Sequence, residues 1–341
     1  MGLKEKIQAL SAVAAPAGFE DAARDLAGEM LTGLVDEMYT DAMGNLIAIR
    51  RCAIPGAKKL VLDAHMDEIG FIVTGQDKGF LRFANLGGID PRMLPAREVK
   101  ILAKNGPIYG IIDTLPPHVL SAGDMDKTVP ADKLFIDAGL TEEEAEDLVP
   151  AGTPVVFSGG CEVLGDNMLC GKALDDRACV AIVIEVMERL KDVALAYDVC
   201  CLISTQEELG LRGATSGAFG IEPDMAIAVD VCHAWTPDAK KDKTVPIGKG
   251  AVVALGPNMN REFTNAIIET AKVNEIPYQV EVIPGRSGTD AWAIQVSRAG
   301  VCTALISLPV KYMHTPVEAM NISDAESIVS LIAAFLQKEE A

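Results

Sequence analysis

The sequence predicts an α/β fold interrupted by a β-rich insertion, and three observations carry that expectation. Apolar runs end repeatedly in an acid or a histidine, as in KLVLDA before His65 and AIAVD ending at Asp230. This is the pattern of buried strands with chemistry at their carboxyl ends. Stretches with apolar residues at helical spacing alternate with those runs early and late in the chain. From Ile69 to about Val163 that rhythm gives way to short β-rich runs, GFIVTG, FLRFANL, REVKILA, IYGIIDT and TPVVFSG, punctuated by Gly, Pro and Asp. The middle segment therefore reads as a small barrel or sandwich.

Taken in order, Leu3 to Leu10 and Glu20 to Leu31 carry helical spacing, and Lys59 to Ala64 is a strand. Inside the insertion only Thr141 to Leu148 offers a longer helix. After Gly171 the α/β alternation resumes. Asp176 to Leu190 is a helix, and Asp198 to Ser204 and Asp224 to Asp230 are strands. Glu262 to Val273 is a helix, Tyr278 to Ile283 a strand and Ala291 to Ser297 a helix. Val301 to Leu308 is a strand, and Ser323 to Gln337 closes the chain as a helix. A length of 341 residues exceeds what one hydrophobic core usually organises. The economical division is a discontinuous α/β domain, 1–69 and 164–341, carrying an inserted β domain, 70–163, since insertion is tolerated where both ends leave one surface point.

Composition excludes several function classes. Charged residues make up 23% and hydrophobic ones 49%, an ordinary globular balance. The net charge of −19 argues against nucleic acid, whose phosphates need a basic face. No stretch approaches the roughly 20 apolar residues needed to span a bilayer, and the amino terminus lacks the apolar core of a secretory signal. A cytoplasmic location is the expectation. The eight cysteines include no Cys-x-x-Cys pair, so they read as small buried hydrophobes in a reducing compartment and not as a thiolate zinc site.

Chemistry concentrates at five places. In His65-Met66-Asp67-Glu68, strand alternation sends His65 and Asp67 to one side. Asp67 can then take one imidazole proton while the other nitrogen binds a metal. Asp175 precedes an apolar helix and can bridge two ions while Asp176 caps the helix, although an acid at that position is commonly a cap alone. Glu207 and Glu208 follow a buried strand, where adjacent carboxylates are costly without cations; an exposed acidic helix start is the alternative. Asp230 and His314 each follow an apolar strand, and each is otherwise a loop residue. The joint recurrence matters more than any one motif, because an open α/β sheet places its crevice at the carboxyl ends of its strands. The set of His, Asp, Glu, Asp and His without a thiolate suits Zn²⁺ or Co²⁺, with Mn²⁺ possible.

With these motifs in order, the chain resembles the tetrahedral (TET) dinuclear metallo-aminopeptidases, which include glutamyl and deblocking aminopeptidases and members labelled endoglucanase. The resemblance runs through PAGFED (16–21), DAHMDEIG (63–70), ALDDR (173–177), QEELGLRGA (206–214), VDVCHA (229–234), IGKGAVV (247–253), SGTDA (287–291) and YMHTP (312–316). It implies a phosphorylase/hydrolase-like mixed-sheet peptidase domain with an inserted β-barrel that serves dimerisation and substrate access. It implies that His65 and Asp230 hold one divalent ion, that Glu208 and His314 hold the other, and that Asp175 bridges them. Glu207 is the implied general base for metal-activated water, Asp67 the partner of His65, and Asp175–Asp176 a cis peptide. The implied assembly is a dodecameric tetrahedron built from dimers, acting on peptides from their amino termini. His233, Arg286, Gly288 and Thr289 are expected in the substrate pocket, where Arg286 would read an acidic side chain. Cys232 and Trp292 depart from the family pattern, where Thr and a small residue are common. Two rival readings are a glycoside hydrolase, disfavoured by an aromatic content of 5%, and a non-catalytic metal-binding scaffold, for which Glu207 would be superfluous.

Overall fold

The strand Lys59–His65 lies near the middle of an 11-stranded mixed sheet in a computed structural model that describes residues 1–119, 123 and 127–337. Its parallel neighbours are Asp198–Ser204 and Met225–His233, and Cys302–Lys311 runs parallel to the latter. These four strands are buried almost throughout, which is why they read as near-continuous apolar runs. On one side the antiparallel pair Glu37–Thr40 and Leu46–Arg50 extends the sheet. On the other, Glu318–Asn321, Met168–Gly171 and Cys161–Leu164 follow in antiparallel register. Ala251–Leu255 pairs with Cys302–Lys311 and carries Tyr278–Val282 beside it.

Alternation along the strands divides the core into two layers. Leu60, Leu62 and Ala64 face a cluster built on the helices Leu3–Ala12, Leu174–Arg189 and Ile322–Leu336. Val61, Cys200 and Leu202 face Ala214, Ala218 and Ile294 on the helices Arg212–Ile221 and Ala291–Ile294. The helix Arg212–Ile221 has no counterpart in the sequence reading, because RGATSGAFGI is rich in poor helix formers. Packing explains them. A Cβ on Gly213 would stand 2.3 Å from the Thr205 carbonyl oxygen, and one on Gly217 would stand 2.7 Å from Leu202 Cδ1.

The insertion closes into a six-stranded barrel from Gly70–Asp77, Phe80–Leu86, Glu98–Ala103, Gly106–Ile112, Ile136–Asp137 and Pro154–Phe157. Its centre is Phe71, whose ring meets those of Phe83 and Phe157 edge-on at 5.1 Å each, a favoured aromatic geometry. Thr141 and Glu144 form a capping box on the helix Glu142–Leu148. The chain returns to the large sheet a little before the boundary expected at 164, since Cys161–Leu164 already pairs with Met168–Gly171. All eight cysteines are free thiols. No helix among the described residues is long and apolar enough to cross a membrane.

Candidate metal centre

The carboxyl ends of the parallel strands converge on one cavity of about 550 Å³. His65 ends its strand, Asp230 lies three residues inside the end of Met225–His233, and Glu207 and Glu208 follow Asp198–Ser204 after Thr205 and Gln206. The strand carrying Asp230 runs on to His233, farther than the apolar run suggested. His314 follows Cys302–Lys311 in a loop. Asp175 enters from the first turn of the helix Leu174–Arg189, where the Asp175–Asp176 peptide is cis.

Asp175 stands between the two imidazoles. Its Oδ1 lies 3.2 Å from His65 Nε2 and its Oδ2 lies 3.4 Å from His314 Nε2. His314 Nε2 also lies 3.2 Å from Glu208 Oε1. Two sets of ligand atoms, one from His65, Asp175 and Asp230 and the other from Asp175, Glu208 and His314, each gather within 4.8 Å. Asp175 belongs to both.

Neighbouring carboxylates fix the backbone of these residues. Asp67 accepts the amides of Glu207 and Glu208, at 3.0 and 3.1 Å, and brings Oδ1 within 3.4 Å of His65 Nδ1. Glu318 accepts the amides of Asp175 and His314, at 3.0 and 2.8 Å. Asp176 accepts the His65 amide at 3.2 Å, so it holds the facing strand and does not cap its own helix, whose N-cap makes no side-chain bond. A buried network lies behind. Glu68 receives Lys172 Nζ at 2.7 Å and Arg177 Nη2 at 3.3 Å, and Arg177 Nε donates to the Met66 carbonyl. Ala173, Gln206 and His314 hold left-handed backbone, φ 54°, 53° and 60°, which non-glycine residues adopt only when their surroundings impose it.

The insertion reaches this centre through a glycine pair that follows Phe80–Leu86. The Gly88 carbonyl oxygen lies 2.7 Å from His314 Nδ1, which turns Nε2 toward Asp175 and Glu208. A Cβ on Gly87 would stand 3.0 Å from Glu208 Oε2, and one on Gly88 would stand 3.2 Å from His314 Nδ1.

The electrostatics call for positive charge. Burial, reinforced by Asp230, Asp290 and Glu208, pushes the Glu207 carboxyl up to about 10 against the pull of His65. Burial likewise drives Asp63, Asp176 and Asp230 well above the carboxylate range, and takes Asp290 to about 6. Asp175 goes the other way, because hydrogen bonds to His314 and His65 outweigh its burial. Burial opposes protonation of His314, but Asp175 and Glu208 hold that ring up to about 11. Asp63, Asp176 and Asp290 each retain a buried oxygen without a hydrogen-bond partner among the described residues. So many buried acids around two imidazoles fit divalent cations, which offset clustered carboxylates and take imidazole nitrogen.

All the sequence-predicted site residues meet at this cavity. His233, Arg286, Gly288 and Thr289 line it with His65, Asp175, Glu207, Glu208, Asp230 and His314, and Asp67 lies immediately behind His65. Sequence reasoning missed Asp63, Asp290 and Glu318. The available signal was an acid inside the apolar run KLVLDA, and, for Asp290, its place in the SGTDA motif; Glu318 carried none.

A family model described as M42 glutamyl aminopeptidase matches residues 44–331. The chain belongs to that family. This M42 member is accordingly a hydrolase of peptide bonds. Among its relatives is a lysyl aminopeptidase of Pyrococcus furiosus, 38% identical over 320 residues that cover 92% of this chain and 91% of the relative. The solved aminopeptidase of Desulfurococcus kamchatkensis superposes with a TM-score of 0.92 at 33% identity, covering 99% of this chain and 95% of that one. A TET peptidase of Pyrococcus horikoshii, described as able to assemble into a tetrahedron or a large octahedral shell, has a TM-score of 0.87 at 32% identity and covers 99% of this chain and 100% of its own.

Proposed function

We propose that the chain is a dinuclear metal-dependent aminopeptidase that removes amino-terminal residues from peptides. The observation that carries this reading is Asp175, whose two oxygens face two different imidazoles. His65 and Asp230 would hold one ion, Glu208 and His314 the other, with Asp175 shared; Zn²⁺ or Co²⁺ suits the donors, and Mn²⁺ less closely. Two such ions supply the Lewis acidity that activates water and polarises a scissile carbonyl.

The chain's own groups do the rest. Glu207 lines the cavity beside the candidate ligands; once cations offset the acids that push its carboxyl up, it would be free to take the proton of the attacking water and deliver it to the leaving amine. Asp67 serves it indirectly, by holding the Glu207 amide and the His65 ring. His233, Arg286, Gly288 and Thr289 form the wall against which the substrate lies. The surplus of carboxylates favours a free α-ammonium on the substrate.

The insertion would serve dimerisation and access, within a homo-oligomer of the tetrahedral, twelve-chain kind. Exposed Tyr109, Ile111 and Leu115 on the barrel and the segment after it are suited to burial between copies. A cytoplasmic location agrees with eight unpaired thiols. A glycan-cleaving reading lacks support, because no Phe, Tyr or Trp lines the cavity among the described residues.

The test is peptide hydrolysis by chain stripped with a chelator and then supplied with Co²⁺ or Zn²⁺. Turnover should vanish and return. Chelator-resistant hydrolysis would overturn the reading.

A further inference from the structure

Glu281 lines the catalytic cavity, yet no step above uses it. It stands on Tyr278–Val282, three strands across the sheet from Asp230. The register connects the two positions: Asp230 pairs with Ser307, Ser307 with Val252, and Ala254, two residues on, with Glu281. A side-chain period of two keeps all of them on one face, the face that opens on the cavity. Three inter-strand steps separate the two strands by about 14 Å, and both residues line the same cavity.

The surroundings of Glu281 are incomplete as they stand. Its Oε2 is shielded from solvent and has no hydrogen-bond partner, and no cation offsets its charge among the described residues. Burial alone pushes the carboxyl above its ordinary range. A desolvated acid without a partner is costly unless something that enters the cavity completes it. The neighbouring wall includes Leu305, Ile283, Ser307 and Cys232, apolar for the most part. A largely apolar wall beside a lone carboxylate matches a side chain with an aliphatic stem and a charged tip.

We propose that Glu281 is a specificity-determining residue that selects substrates whose amino-terminal residue is cationic, lysine or arginine. Arg286, from which the sequence suggested a preference for acidic residues, lines the same cavity but is exposed. A hydrated charge at the rim contributes little to discrimination, whereas the partly buried Glu281 is poised to contribute more.

The inference rests on the aminopeptidase reading, and one experiment separates the two. The full chain, reconstituted with Co²⁺, is assayed on lysyl, leucyl and glutamyl aminomethylcoumarin for kcat/KM. The wild type should favour lysyl, and Glu281→Gln should lower the lysyl-to-leucyl ratio about 10- to 100-fold, the worth of a charge-assisted bond at a desolvated site. Glu281→Lys should place glutamyl above lysyl. Both members of the ratio are read on one preparation, so loss of folded or metal-loaded enzyme cancels. A ratio unmoved by Glu281→Gln, or a wild type that prefers leucyl or glutamyl, would overturn the inference while leaving an aminopeptidase. Absence of turnover on all three would overturn the aminopeptidase reading and this inference together.

Discussion

Asp175 is the residue on which the centre turns. It enters at the head of a helix and meets one histidine at a strand end and another in a loop, and it is held there by the Glu318 carboxylate on its amide. Asp67 does the same for Glu207 and Glu208. Two consequences belong at this scale. Glu207→Gln should keep its bound metal and lose about 10²-fold or more in kcat, as expected for removal of a general acid–base; single-turnover kinetics on metal-loaded protein checks it, and undiminished turnover would remove Glu207 from that role. Gly88→Ala adds a methyl 3.2 Å from His314 Nδ1, so the ring must shift. One ion should bind about 10-fold or more weakly while the other binds as before, which calorimetric Co²⁺ titration resolves. The candidate ligands were legible in the sequence because acids and histidines precede, interrupt or follow apolar runs. Glu318 was not, since its clamp on residues 175 and 314 exists only once distant segments have folded together.

At the scale of elements, the segments bearing the candidate ligands are tied to the helical layer by ion pairs buried beneath the site. Arg177 is fully buried, donates to the carbonyls of Leu10, Ala15 and Met66, and also meets Glu68. Arg177→Met should strip those acceptors and leave Glu68 with Lys172 as its one cation beside the Ala15 amide, at a cost of about 3–5 kcal/mol for a broken buried pair. Chemical denaturation of the metal-free chain measures it, and a midpoint equal to the wild type would contradict the role given to this network. The central strands were legible because burial on both faces demands unbroken apolar runs. The helix Arg212–Ile221 was hidden by the glycines that let it approach Thr205 and Leu202, a tertiary demand that overrides local propensity. Ala251–Leu255 escaped for a similar reason: a short apolar run between glycines carries no period that separates strand from loop.

The whole molecule joins an eleven-stranded sheet to a closed barrel, and the junction matters to the chemistry, since the Gly88 carbonyl of the insertion orients His314. The change of texture at residue 70 was visible in the sequence. Closure into a barrel, as against a sandwich, came from the family resemblance and is borne out; alternation alone leaves it open, because closure is a matter of strand register. If the exposed apolar residues of the insertion are buried between copies, light scattering should give a particle of many chains, and Tyr109→Glu with Ile111→Glu should reduce it to smaller species. A wild-type chain that sediments as a monomer would contradict the proposed assembly. The central claim is that two cations share Asp175. It is tested most directly by elemental analysis of the purified chain, saturated with Co²⁺ and freed of excess, beside His314→Ala. Two ions per chain in the wild type and one in the variant is the predicted result; fewer than two in the wild type, or two in both, would contradict it.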